Sequence, residues 1–247
     1  LVVPGSLHGV MTPSAQAAVA QQPLIPPGAG APVNPPSDAW NALLTQAMVQ
    51  TRVPAAFAAE QGAVVEPTAD GRTFTVFWSP VADEQQVTRP VIVTLHGSDG
   101  YAFNEIAIWH RFAAARGYAI LAVQWWLGKG DGLDDYLRPR EAYAALASVL
   151  RARGVQPGTV LLHGFSRGSA NIYGVAALDR VEGDRYARVV VANAGGAAPN
   201  YPINRDISNG LLGPMPLAET AWVTYCGGRD PNPERDGCPM MRRSADW

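Results

Sequence analysis

Lysine is nearly missing from this chain of 247 residues: of its 19 basic side chains only Lys129 is a lysine, against 21 acidic ones, for a net charge of −2. With no basic excess to neutralise phosphates, the composition argues against a nucleic-acid partner. Charged residues make up 16% of the chain, below the roughly 25% of an average soluble domain. No apolar run reaches the roughly 18 residues that a membrane-spanning helix needs, so none is expected within these residues. Histidine is scarce, and His8, His96, His110 and His163 are scattered. The two cysteines, Cys226 and Cys238, lack zinc-finger spacing. No metal site is therefore expected. The glycines that follow Leu95 do not form G-x-G-x-x-G, which argues against a dinucleotide site and leaves no cofactor expected. The length suits one buried core, and a monomer is the simplest expectation.

Residues 1–36 hold eight of the 21 prolines, many Ala, Gln and Gly, and almost no charge. A segment of this kind cannot bury enough apolar surface to offset its ordering entropy, so it reads as a disordered linker or the remnant of a signal peptide. A Pro/Ala spacer before a folded domain favours export, to the periplasm, the surface or the medium. The folded domain is expected over residues 37–247.

Ser37 is a plausible N-cap for a helix to residue 50, with Trp40, Leu43, Leu44 and Met48 at helical spacing. Residues 64–65 and 72–78 flank an Ala69-Asp70-Gly71 turn and predict a hairpin. After Pro90 the pattern changes to short continuous apolar runs separated by helical stretches. Strands are predicted at 91–95, 118–123, 159–162, 189–192 and 222–225. Helices are predicted at 103–116, at 139–153, after Ser166, and from Pro239 onward. This alternation predicts a mainly parallel α/β sheet covered on both faces, opened by antiparallel strands.

The chemistry concentrates at Gly164-Phe165-Ser166-Arg167-Gly168, where an apolar strand runs straight into a helix. The pattern matches the nucleophile elbow G-x-S-x-G: a tight turn that tolerates only glycines beside it lifts the serine hydroxyl above the sheet, at a helix N-terminus that favours developing negative charge. The alternative is an ordinary βα turn with a capping serine. A second loop, His96-Gly97-Ser98-Asp99-Gly100, follows the strand ending at Leu95. Acyl transfer needs two N–H donors for the oxyanion. The backbone N–H groups of Arg167 and Ser98 are the candidates.

Together these features resemble the α/β-hydrolase superfamily over residues from about 60 to 247. Leu95 to Gly100 with Gly164 to Gly168 resembles the secreted esterases related to polyhydroxyalkanoate depolymerases and to feruloyl or acetylxylan esterases. The resemblance implies a three-layer α/β-hydrolase sandwich and a serine hydrolase acting on a small or polymeric carboxylic ester, such as a polyester or a plant cell-wall ester. It also implies an acid after the second strand beyond the elbow. Asp230 fits, in Cys226-Gly-Gly-Arg-Asp230, and Asp236 is the alternative in the same loop.

The order Ser, acid, His then calls for a histidine beyond Asp230, and none follows His163. The expectation is that the sequence stops before the base, the C-terminal end of the domain being missing; the alternative is a binding protein that has lost its base. Cys226 and Cys238 bracket the acid loop and read as a disulfide that pins it, or as two thiols. Trp125 and Trp126, just past a strand's C-terminal end, could line a substrate subsite or belong to the core. A serine peptidase or acyltransferase on the same scaffold is the enzymatic rival.

Overall fold

The computed structural model describes residues 37–81, 87–181, 184–199 and 201–247; the expected linker of residues 1–36 lies outside them. A seven-stranded sheet runs through the centre in the order β1-β2-β4-β3-β5-β6-β7. The strands are β1 (Val64–Pro67), β2 (Phe74–Trp78), β3 (Val91–Leu95), β4 (Ala119–Val123), β5 (Val160–Phe165), β6 (Ala187–Asn193) and β7 (Ala221–Tyr225). The expected hairpin is present: β1 pairs antiparallel with β2, and β2 antiparallel with β4. Every later pairing is parallel.

Helix α1 (Asp38–Gln50) starts where Ser37 Oγ accepts the Trp40 N–H at 3.1 Å, as the N-cap reading requires. It is followed by α2 (Arg52–Glu60). Helix α3 (Ala102–Arg116) ends at Gly117, whose φ of 69° gives the left-handed close that glycine adopts without strain. Helix α4 (Pro139–Ala152) places its proline at the first turn. Helices α5 (Arg167–Val181), α6 (Pro202–Ser208) and α7 (Cys238–Ala245) complete the set. Among the described residues no helix is long and apolar enough to cross a membrane.

Strands β2, β3 and β4 are buried at every position, and this is why 91–95 and 118–123 read as short apolar runs without polar alternation. Helix α3 packs on β2, β3 and β4, while α5 packs on β3, β5 and β6 with α4 beside it. Each large side chain in this core, such as Ile92, Leu95 or Leu121, contributes roughly 1.5–3 kcal/mol through removal from water. From β3 the chain crosses toward β4 on one side; from β5 it crosses toward β6 on the other. With right-handed crossovers the connecting helices therefore lie on opposite faces, and the loops leaving β3 and β5 diverge. A crevice opens between them at the carboxyl edge of the sheet, the place where open α/β sheets bind ligands.

Candidate active site

Ser166 stands in that crevice. It joins β5 to α5 with φ of 52°, left-handed backbone that a side chain seldom adopts. Such a residue stores roughly 1–3 kcal/mol unless its surroundings hold it there. They do: the Ser166 N–H donates to Asn193 O at 2.8 Å, and Ser166 O accepts from Ala170 N at 3.0 Å. The two elbow glycines are demanded by close approach. A Cβ on Gly168 would lie 2.3 Å from Leu95 O, and one on Gly164 would lie 2.4 Å from Gly168 O. A side chain on Gly168 would push the first turn of α5 off the end of β3, and one on Gly164 would push it off β5.

The loop after β3 stands against this turn. A Cβ on Gly97 would lie 3.4 Å from Ser166 Cβ and 3.0 Å from the Phe165 ring. The Gly100 N–H donates to Gly97 O at 3.3 Å, closing a turn in which Asp99 takes φ of 52° and Ser98 sits exposed at the apex. Three side chains fasten the loop from behind. The Trp125 indole donates to His96 O at 2.9 Å. Gln124 accepts from Ala102 N and donates to Gly100 O. The Tyr136 hydroxyl accepts from Asp99 N at 3.3 Å. The N–H of Arg167, at the head of α5, has no carbonyl a full turn back within its helix, so it is open to an anion at the helix N-terminus.

The strand order of the sheet, the antiparallel β2 and an elbow after β5 at the switch point decide the architecture. The fold is that of the α/β hydrolases. No family model and no curated protein sequence matches the chain. Solved structures similar to it include a thermophilic carboxylesterase cloned from a metagenomic library, at 21% identity over 65% of this chain and 56% of that one, with a TM-score of 0.46. An esterase from the archaeon Pyrobaculum calidifontis is 19% identical over 64% of this chain and 52% of its own, with a TM-score of 0.45. A bacterial heroin esterase is 19% identical over 80% and 68% of the two chains, with a TM-score of 0.45. The chain thus spans about half the length of the first two.

Asp230 lies in the loop after β7, on the same carboxyl edge and two strands from the elbow. Its carboxylate accepts the Asn232 N–H at 2.8 Å, and its own N–H donates to Gly227 O. Asp236 is instead held by the Arg235 guanidinium at 2.6 Å. Cys226 and Cys238 are bonded, so the expected disulfide closes the loop that carries both acids.

The three described histidines are engaged elsewhere. His96 is buried beneath its own loop, and burial holds its pKa down at about 4. His110 packs edge-on against Phe57 and Trp78, at the junction of α2 and α3. His163, on β5, is buried beside its β3 neighbour Thr94, whose Oγ1 lies 2.9 Å away and donates to Glu105 at 2.5 Å. Burial lowers the His163 pKa to about 4 and raises that of Glu105. His8 falls outside the described residues.

The aromatic pair divides. Trp126 is taken up by packing, its indole donating to Gly130 O and its ring set against Tyr101. Trp125 is 1% exposed and packs tilted against Tyr136, ring centres 4.7 Å apart, so it backs a cavity rather than offering an open face. The Arg167 side chain is not free for an anionic ligand, because it donates to Asp131 O and pairs with Asp131 Oδ1, both at 2.9 Å. Sequence reasoning passed over Phe165, 46% exposed between Gly97 and Ser166, though its place as the first variable residue of the elbow was a signal. Tyr136, Asp131 and Asn171 were also passed over, and no local pattern marks them.

Proposed function

We propose that this protein is a serine hydrolase that cleaves carboxylic esters through an acyl-enzyme. The observation that carries the proposal is Ser166 in left-handed backbone on the strand-to-helix elbow, with the Gly97 loop in contact beside it. In this reading the Ser166 hydroxyl adds to the ester carbonyl and its proton passes to a histidine base. The N–H groups of Ser98 and Arg167 hold the oxyanion, the alcohol leaves with the proton, and water then releases the acid. Asp230 orients the base and stabilises its charged form.

The base in this reading is a histidine other than the three described ones, because each of those is buried or packed away from the elbow. The Cys226–Cys238 bond supports an oxidising compartment and hence export. The resemblance of the two loops to secreted esterases extends the substrate from small esters to polyester or plant cell-wall esters.

Hydrolysis of 4-nitrophenyl acetate by the full-length protein, compared with a panel of 4-nitroanilide peptides, tests the reaction class. Ester turnover that Ser166→Ala abolishes, with the peptides untouched, is the expected outcome. Peptide cleavage of equal efficiency would replace the esterase by a peptidase.

A further inference from the structure

Beside the elbow lies a small cavity whose walls include Trp125, Leu133, Tyr136, Leu137 and Arg167. Asn171 also lines it, one helical turn beyond Arg167 on the same side of α5. Asn171 is 1% exposed, and neither its amide nitrogen nor its amide oxygen has a hydrogen-bond partner among the described residues. Leaving one such group unmet inside a protein costs roughly 1–3 kcal/mol. A side chain that carries this cost at both ends, in a cavity beside a reactive serine, calls for a ligand group able to meet it.

The size and charge of the cavity narrow that group. Its volume of about 20 Å³ holds one water-sized group, so a carboxamide or a ring is too large without displacement of the walls. The two cations in the wall, Arg138 and Arg167, are already paired with Asp134 and Asp131, which disfavours an anion. The rest of the lining is aliphatic or aromatic and carries the phenol hydroxyls of Tyr136 and Tyr201. What fits is a neutral group of one heavy atom that both donates and accepts, carried on a hydrocarbon chain. That group is a hydroxyl. The cavity also adjoins the reacting centre, since the Tyr136 hydroxyl in its wall accepts from Asp99 N in the loop beside Ser166.

Building on the esterase reading above, we propose that Asn171 is a specificity residue that selects esters whose chain carries a hydroxyl, the hydroxyl displacing water from this cavity and bonding both amide atoms. The loop over residues 127–137 forms the outer wall, with Leu133 42% exposed on it, so the chain lies along this rim and only its hydroxyl enters the cavity.

The test compares methyl hexanoate with methyl 3-hydroxyhexanoate and methyl 6-hydroxyhexanoate on the full-length protein. At least one hydroxy ester should exceed the parent in kcat/KM by about tenfold, the value of one well-made neutral hydrogen bond. In Asn171→Leu and Asn171→Ala, checked for folding by thermal melting, that ratio should fall to within about twofold of one. A second arm needs no turnover: in Ser166→Ala, the same esters are titrated while the Asn171 side-chain amide resonances are followed. A shift with a hydroxy ester and none with methyl hexanoate supports the site even if hydrolysis is never seen, in which case the esterase reading alone fails. Turnover without a hydroxyl preference, together with amide resonances that do not move, shows a cavity holding an ordered water only and overturns the inference.

Discussion

The elbow and the acid loop are both built at the carboxyl edge of one sheet, yet they are held in place by different means. Around Ser166 the constraint is main-chain contact: Gly168 against Leu95 O, Gly164 against Gly168 O, and the fully buried strand β3 alongside. Around Asp230 the supporting strand β7 is the last in the sheet, with Val223 50% and Tyr225 62% exposed. That loop relies on a covalent staple and on surface ion pairs such as Arg235–Asp236 and Arg243–Glu234. Packing holds Ser166 in strained backbone, whereas cross-links hold the loop of Asp230. The two halves should accordingly fail under different insults.

Asp230→Asn should have the largest effect of the changes considered next, a loss of about 10⁴ in kcat in the full-length enzyme, with Asp236→Asn costing less than tenfold. Steady-state ester kinetics on the pair checks the assignment, and the opposite ranking would move the acid to Asp236. Removing the staple with Cys226→Ser and Cys238→Ser together should lower stability by about 3 kcal/mol, read by denaturant titration, since the bond closes a loop of 12 residues. Gly168→Ala should leave the acid loop intact and cut kcat by about a hundredfold, the scale of an ångström-sized misplacement. A Gly168→Ala enzyme of full activity would show that close approach does not hold the serine.

Stability against pH should change through the elbow half, because His96 and His163 lie there and none lies beyond residue 163. Burial holds both rings neutral, with a pKa of about 4. In the unfolded chain they titrate at about 6.5, so the unfolded state takes up protons first as the pH falls. Stability supplied by the neutral rings is complete above about pH 6.5 and is lost as the pH drops toward about 4. Melting curves over this range should show that loss, and His163→Asn should flatten it.

Legibility in the sequence follows the same division. The parallel strands, the hairpin, the Ser37 cap and the elbow depend on local signals: apolar runs, a capping hydroxyl, and glycines where backbones touch. The disulfide was legible as one of two states because the cysteines bracket the acid loop. Helix α2 was passed over, its Pro54 and alanines giving no clear stripe; its place comes from packing on α3. The roles of Trp125, Tyr136, Asp131 and Asn171 arise where the loop after β4 crosses over α5, from pairs such as Asp131 with Arg167, 36 residues apart. Periodicity carries no information about such a crossing.

The central claim is that Ser166 is the nucleophile, and fluorophosphonate treatment of the full-length protein followed by peptide mass spectrometry tests it most directly. A single adduct on the peptide containing Ser166, abolished by Ser166→Ala and slowed by Asp230→Asn, is the predicted result. Absence of any adduct while a control serine hydrolase is labelled, or an adduct that persists in Ser166→Ala, would contradict it.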